Sequence, residues 1–163
     1  MNSNRLAIRL NKMLASECIL GEGLWVEKSK AAWVDIDTDK ILVHNRHKIE
    51  KFFIQNKPSI IYDFKHNEAS IGTDVGLTKY NIQTNDEVLL NDVSNTHNIK
   101  EYRSNDGGFC GNHQLLSFMH RNDPLKNLGF VYLIKDKSFY LIDSTLHIPN
   151  SFIEIEPSKI LIS

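Results

Sequence analysis

The 163-residue sequence predicts an all-β fold, an incomplete β-propeller of about three and a half four-stranded blades. Three observations carry the prediction. Short β-rich apolar runs alternate with polar turns along the chain. The runs fall into groups of four that repeat every 35 to 49 residues or so, near the roughly 40 to 50 of one blade. Three polar motifs, Gly21-Glu22-Gly23-Leu24-Trp25, Arg103-Ser104-Asn105-Asp106-Gly107 and Ile148-Pro149-Asn150, stand at or just before a run at the same phase of the repeat. Residues sharing a phase in a radial repeat point at one centre.

The elements follow in order. Strands are expected at 24–27, 31–36, 41–44 and 49–54 for the first blade, and at 59–64, 69–72, 76–82 and 87–93 for the second. The third blade takes 108–110, 115–119, 130–134 and 138–142, and a fourth begins with 152–155 and 159–162. The hairpins are the clearest part. Trp33-Val34-Asp35-Ile36 and Ile41-Leu42-Val43 flank a polar turn, as do Phe130 to Ile134 and Ser138 to Ile142 around Lys135-Asp136-Lys137. Ahead of the first blade, Leu6, Ile8, Leu10, Met13 and Leu14 fit no clean period and are read as an opening strand. No low-complexity segment or Pro/Gly-rich linker divides the chain, so one domain is expected over 1–163.

Composition narrows the function classes. With 41% hydrophobic and 24% charged residues the chain can bury a core, and a net charge of −1 leaves no basic footprint for nucleic acid or an anionic membrane surface. No run approaches the ~18 apolar residues of a spanning helix and the amino terminus lacks a secretory signal's apolar centre. A cytoplasmic protein is the expectation. Cys18 and Cys110 have no metal-like spacing and are expected as buried thiols without a disulfide.

Several constellations imitate known sites and fail on spacing. Asp35, Asp37 and Asp39 start like a calcium loop, but Lys40 and Arg46 stand where such a loop needs glycine and glutamate, so a solvated hairpin turn is expected. His44 and His47 lack a third ligand. His113 and His120 flank one expected strand and read as surface or packing residues. There is no Gly-x-Ser-x-Gly elbow and no phosphate-cradling glycine loop.

The three phase-sharing motifs resemble the senescence-marker-protein/gluconolactonase family of regucalcin-like six-bladed propellers. The similarity runs from just before Gly21 to the carboxyl terminus and includes Trp33-Val34-Asp35-Ile36 in the first blade. It implies a divalent-metal-dependent sugar lactone hydrolase. Glu22 and Asn150 would be metal ligands, and Arg103 and Asn105 substrate contacts. A carboxylate and an amide carbonyl are hard oxygen donors that suit Ca²⁺, Mg²⁺, Mn²⁺ or Zn²⁺. Such an ion would polarise a lactone carbonyl, while a guanidinium fork holds hydroxyls or a developing oxyanion. The four side chains are expected to converge at one end of a central channel.

The sequence also departs from the family's pattern. The proline of the family's Gly-Glu-Gly-Pro-x-Trp is missing and Leu24 precedes Trp25 directly, so the segment carrying Glu22 is one residue short; Cys110-Gly111-Asn112-His113-Gln114 and Ser117-Phe118-Met119 replace the usual residues after the Asn-Asp-Gly segment, and Ser151 replaces a glycine. Six blades need about 270 residues, so the chain reads as the N-terminal half of such a domain. The family's third metal ligand, an aspartate also proposed as the catalytic base, would lie past Ser163. No catalytic residue is therefore assigned, and impaired lactonase activity is expected. The alternative is a catalytically inactive half-propeller that serves as a binding or assembly module, or a remnant of a longer gene. Open blade faces would then pair with another copy or with a complementary half-propeller chain.

Overall fold

A computed structural model describes residues 17–45, 48–96 and 99–163. The opening strand expected at Leu6 to Leu14, and His47 of the His44/His47 pair, lie outside the described residues.

Among the described residues, fourteen strands form three four-stranded antiparallel sheets and one hairpin. The first sheet runs β1 (Gly21–Glu27), β2 (Lys30–Asp35), β3 (Lys40–Asn45), β4 (Lys48–Phe53), each strand paired with the next. The second repeats that order as β5 (Pro58–Lys65), β6 (Glu68–Thr73), β7 (Gly76–Asn81) and β8 (Glu87–Asp92). In the third, β9 (Tyr102–Cys110), β10 (His113–His120), β11 (Phe130–Lys135) and β12 (Ser138–Asp143) follow suit, and β13 (Ile153–Glu156) pairs with β14 (Lys159–Leu161). These are propeller blades. The first strand of each packs against the first strand of the next, with β5 between β1 and β9, and β9 against β13.

Two apolar cores lie between successive blades. Val34, Ile41 and Val43 of blade 1 meet Ile61, Phe64 and Ile71 of blade 2. Tyr62 and Leu77 of blade 2 meet Leu116, Phe118, Tyr132 and Ile134 of blade 3. Val34, Ile41 and Ile71 have no exposed surface, so each contributes on the order of 1.5–3 kcal/mol of burial. Edge-to-face ring contacts reinforce both seams, Trp25 against Phe64 and Tyr62 against Phe109. Blade 2 thus serves as a wall of both cores. In β5, Ile61 and Phe64 face blade 1 while Tyr62 faces blade 3, an alternation kept by a register shift between Ile61 and Asp63.

The structure departs from the sequence expectation at three points. The third blade's first strand was expected only at 108–110, because Asn-Asp-Gly-Gly reads as a turn. Instead β9 begins at Tyr102 and takes the whole motif into the sheet, paired with β10 from Tyr102↔His120 to Cys110↔His113. A bulge between the Ser104↔Phe118 and Gly107↔Leu116 pairs absorbs the turn-forming residues. Likewise Glu22 lies within β1, not ahead of it. No disulfide joins Cys18 and Cys110, and both are half-buried rather than buried; Cys18 Sγ accepts a hydrogen bond from Trp33 Nε1 at 3.3 Å.

Candidate functional site

Glu22 is placed by a bulge. Gly23 and Leu24 together oppose Trp33, between the Glu22↔Val34 and Trp25↔Ala32 pairs, with Gly23 at φ 59°. A Cβ at Gly23 would lie 2.6 Å from Ile60 Cα and 2.8 Å from Ser59 O, so glycine is required for β1 to approach β5 this closely. Glu22 is half-buried beside an open hollow lined by Gly21, Glu22, Gly23, Leu24 and Trp33. Among the described residues its carboxylate has no hydrogen-bond or ion-pair partner. Burial lifts its pKa above the ordinary value, the charge of Asp106 adds to the rise, and Arg103 opposes it.

The β9 bulge sets the other charged groups. Both Nη1 protons of Arg103 are spent locally, on Ser104 O at 3.0 Å and Asn105 Oδ1 at 3.2 Å. The Nε and Nη2 protons have no partner among the described residues. Burial lowers the Arg103 pKa while Asp37 and Glu22 oppose that shift, Arg121 adds to it, and the guanidinium stays charged. Asn105 is 9% exposed and engaged at both ends, because its Nδ2 donates to Pro149 O at 3.1 Å.

Asp106, to which the resemblance assigns no role, belongs to this cluster. Its Oδ2 accepts the Ser151 N–H at 2.8 Å, and burial raises its pKa against the opposing bonds from Gly107 and Ser151. Opposite the bulge, Ser117 Oγ accepts from Asp106 N at 3.1 Å and lies within donating distance of both Asp106 O (2.9 Å) and Pro149 O (3.0 Å). The presence of Asp106 inside the Asn-Asp-Gly motif was the available signal. Ser117 carried none, since only the register of β10 brings it there.

Asn150 precedes β13 in the loop. Its backbone N–H and C=O each bond to Ser163 at 2.9 Å, and its Oδ1 accepts from Ser151 N at 2.9 Å. Ser151, the residue standing in place of a glycine, adopts φ 55°. Arg103 and Asn105 are therefore in contact, and Glu22 lies within electrostatic reach of Arg103 and Asp106. Asn150 joins the group through its neighbours; among the described residues its side chain makes no hydrogen bond to Glu22, Arg103 or Asn105.

No protein-family model matches the sequence, and no curated protein matches it. A solved structure does. Regucalcin, a calcium-binding protein from Agrobacterium tumefaciens strain C58, superposes with a TM-score of 0.73 at 19% identity, over 84% of this chain and 47% of that one. The fold is a partial propeller of the regucalcin kind. At this identity the likeness to regucalcin concerns the path of the backbone, and the chain spans about half of regucalcin's length.

The donor chemistry fits a hard cation: among the described residues, Glu22 offers a carboxylate without a hydrogen-bond or ion-pair partner, and Asn150 an amide oxygen that accepts from the next peptide N–H. Among the described residues, no three His, Cys, Asp or Glu side chains gather as a ligand set. Amide or carbonyl oxygens and water would have to complete the shell. No helix among the described residues is long and apolar enough to cross a membrane.

Proposed function

We propose that this end of the blades binds a divalent cation together with a small polyhydroxylated ligand of the sugar lactone class. One observation carries the reading: among the described residues, the half-buried Glu22 carboxylate and the Nε–Nη2 edge of the half-buried Arg103 guanidinium have no hydrogen-bond partner, although each group feels the other's charge. Burying ionised groups unpaired is costly, and sites that bind charged or polar ligands are where proteins accept that cost. Glu22 and Asn150 would hold the ion; the donors suit Ca²⁺, Mg²⁺, Mn²⁺ or Zn²⁺ alike, and Ca²⁺ is the first to test because regucalcin is a calcium-binding protein. When bound, such an ion supplies Lewis acidity toward a lactone carbonyl. Arg103 would orient the ligand through its Nε and Nη2 protons, and Asn105 would hold the guanidinium by accepting from Nη1.

A second reading, a binding module without turnover, is favoured by the internal engagement of Asn105 and Asp106, two polar side chains of the Arg103 strand that are spent on holding the Pro149–Ser151 backbone. Calorimetric titration with Ca²⁺, and a pH-stat assay on gluconolactone with Ca²⁺, Zn²⁺, Mg²⁺ or Mn²⁺, separate the two. Saturable Ca²⁺ binding that Glu22→Gln abolishes is expected in either case. Turnover of many per second, lost in Glu22→Gln, would establish the hydrolase; binding without turnover would establish the module. Ca²⁺ binding that Glu22→Gln leaves intact would sink both.

A further inference from the structure

The tripeptide Pro149-Asn150-Ser151 is gripped from blade 3 on both sides of Asn150. On one side, Pro149 O accepts from Asn105 Nδ2 at 3.1 Å and lies 3.0 Å from Ser117 Oγ. On the other, Ser151 N donates to Asp106 Oδ2 at 2.8 Å, and this residue sits at a left-handed φ of 55° that a non-glycine residue rarely adopts unaided. Asn105 and Asp106 are the bulged residues of β9, and Ser117 is the single residue opposite them. A bulge turns side chains that would alternate along a regular strand toward a common target. Here that target is the backbone on either side of one amide side chain. The remaining constraint comes from the hairpin, through the two Asn150–Ser163 backbone bonds.

We propose that Asn105, Asp106 and Ser117 form a clamp that fixes the Pro149–Ser151 backbone and so presents the Asn150 side chain to the ion. The assignment rests on the cation reading above. In it Asp106 and Ser117 are positioning residues that touch neither ion nor ligand, and Asn105 links the same clamp to Arg103 through Oδ1. The ligand-orienting group and the ion-holding loop are therefore mechanically joined across β9. Residues supporting ligands in this way affect affinity about 10- to 100-fold when removed.

The test uses the full chain, labelled with ¹⁵N, with Ca²⁺ alone as the probe. Two signals are followed: hydrogen exchange of the Ser151 amide, and the Ca²⁺-dependent shift of the Asn150 side-chain NH₂. Asp106→Ala is expected to speed Ser151 exchange by about tenfold or more and to weaken Ca²⁺ about tenfold, while core amides of β2 and β3 keep their wild-type exchange. Asp106→Asn, which keeps an acceptor oxygen, is expected to retain most of both. Should Asp106→Ala fail to fold, Ser117→Ala takes its place, with weaker Ca²⁺ binding again expected. Normal Ser151 exchange and normal Ca²⁺ affinity in Asp106→Ala, against a wild type that binds Ca²⁺ through Glu22, would overturn the clamp alone. A wild type with no saturable Ca²⁺ response, or one whose response survives Glu22→Gln, would overturn the cation reading and with it the purpose given to the clamp.

Discussion

Asp35 serves three donors at once. Its Oδ1 accepts from Leu20 N at 2.9 Å and its Oδ2 from Ile19 N at 3.1 Å and Thr38 Oγ1 at 2.7 Å, with only 1% of the residue exposed. Burial by itself would raise its pKa, but the bonds from Leu20, Thr38 and Ile19 and the charge of Lys40 outweigh it and hold the carboxyl below the ordinary aspartate value. Because the folded value lies below the unfolded one, Asp35 contributes its full stabilisation above about pH 4, and that contribution is lost as pH falls through the folded value. Asp35→Asn would turn an NH₂ group toward N–H donors and is expected to cost about 1–3 kcal/mol in urea unfolding at pH 7. The gap between variant and wild type should close as the pH falls below about 3.9 and through the lower folded value. An unchanged midpoint at pH 7 would show that the 17–20 segment is not docked by this carboxylate. In the sequence Asp35 reads as one of three aspartates of a solvated turn, because nothing local reveals that Leu20 N–H reaches it from 15 positions away. The same blindness affects Asp106 and Ser117, whose partners Ser151 and Pro149 lie 45 and 32 positions on.

At the scale of strands, glycine decides how closely the blades can approach. A Cβ on Gly107 would lie 2.3 Å from Leu115 O and 2.7 Å from Tyr62 Oη, the hydroxyl that donates to that same carbonyl at 2.6 Å across the seam between blades 2 and 3. Gly107→Ala must therefore displace backbone or break the Tyr62 bond. We expect a loss of about 2–3 kcal/mol and a melting temperature lower by roughly 4–12 °C. Gly111→Ala is the control: its added Cβ meets nothing within 4 Å, and only the positive φ of 56° is strained, a cost of about 1–2 kcal/mol. Equal melting temperatures for the two variants would refute the packing argument. The existence and order of the strands were legible, since hairpins such as β2–β3 and β11–β12 announce themselves by alternation and polar turns. The extent of β9 was not. Asn-Asp-Gly-Gly has turn chemistry, and only pairing with β10 and contact with β5 make those glycines strand residues.

For the whole molecule, the surfaces that do not face another blade matter most. Leu24, Val26 and Phe53 on blade 1 are exposed, as are Tyr140, Leu141 and Ile142 on β12 and Ile153, Ile155 and Leu161 on the last hairpin. With a net charge of only −1, repulsion offers little protection. The 163-residue chain is expected to self-associate at micromolar concentration, by light scattering, and to do so no less at high salt because the contact is apolar. A monodisperse monomer would contradict this. The inner strands of blade 2, by contrast, are packed between both cores, although Val88, Leu89 and Leu90 of its outer strand β8 are exposed, and that arrangement sets a gradient of opening across the molecule. The amides of β6, which lies inside blade 2 between β5 and β7, are expected to exchange slowest and to come nearest the global unfolding free energy; those of the outer strands β8 and β12 and of the β13–β14 hairpin are freed by peeling at the margin. Deuterium uptake resolved by peptide should therefore spread inward from the outer strands, with β6, residues 68–73, labelled last. Denaturation is expected to erode the partial propeller blade by blade toward blade 2.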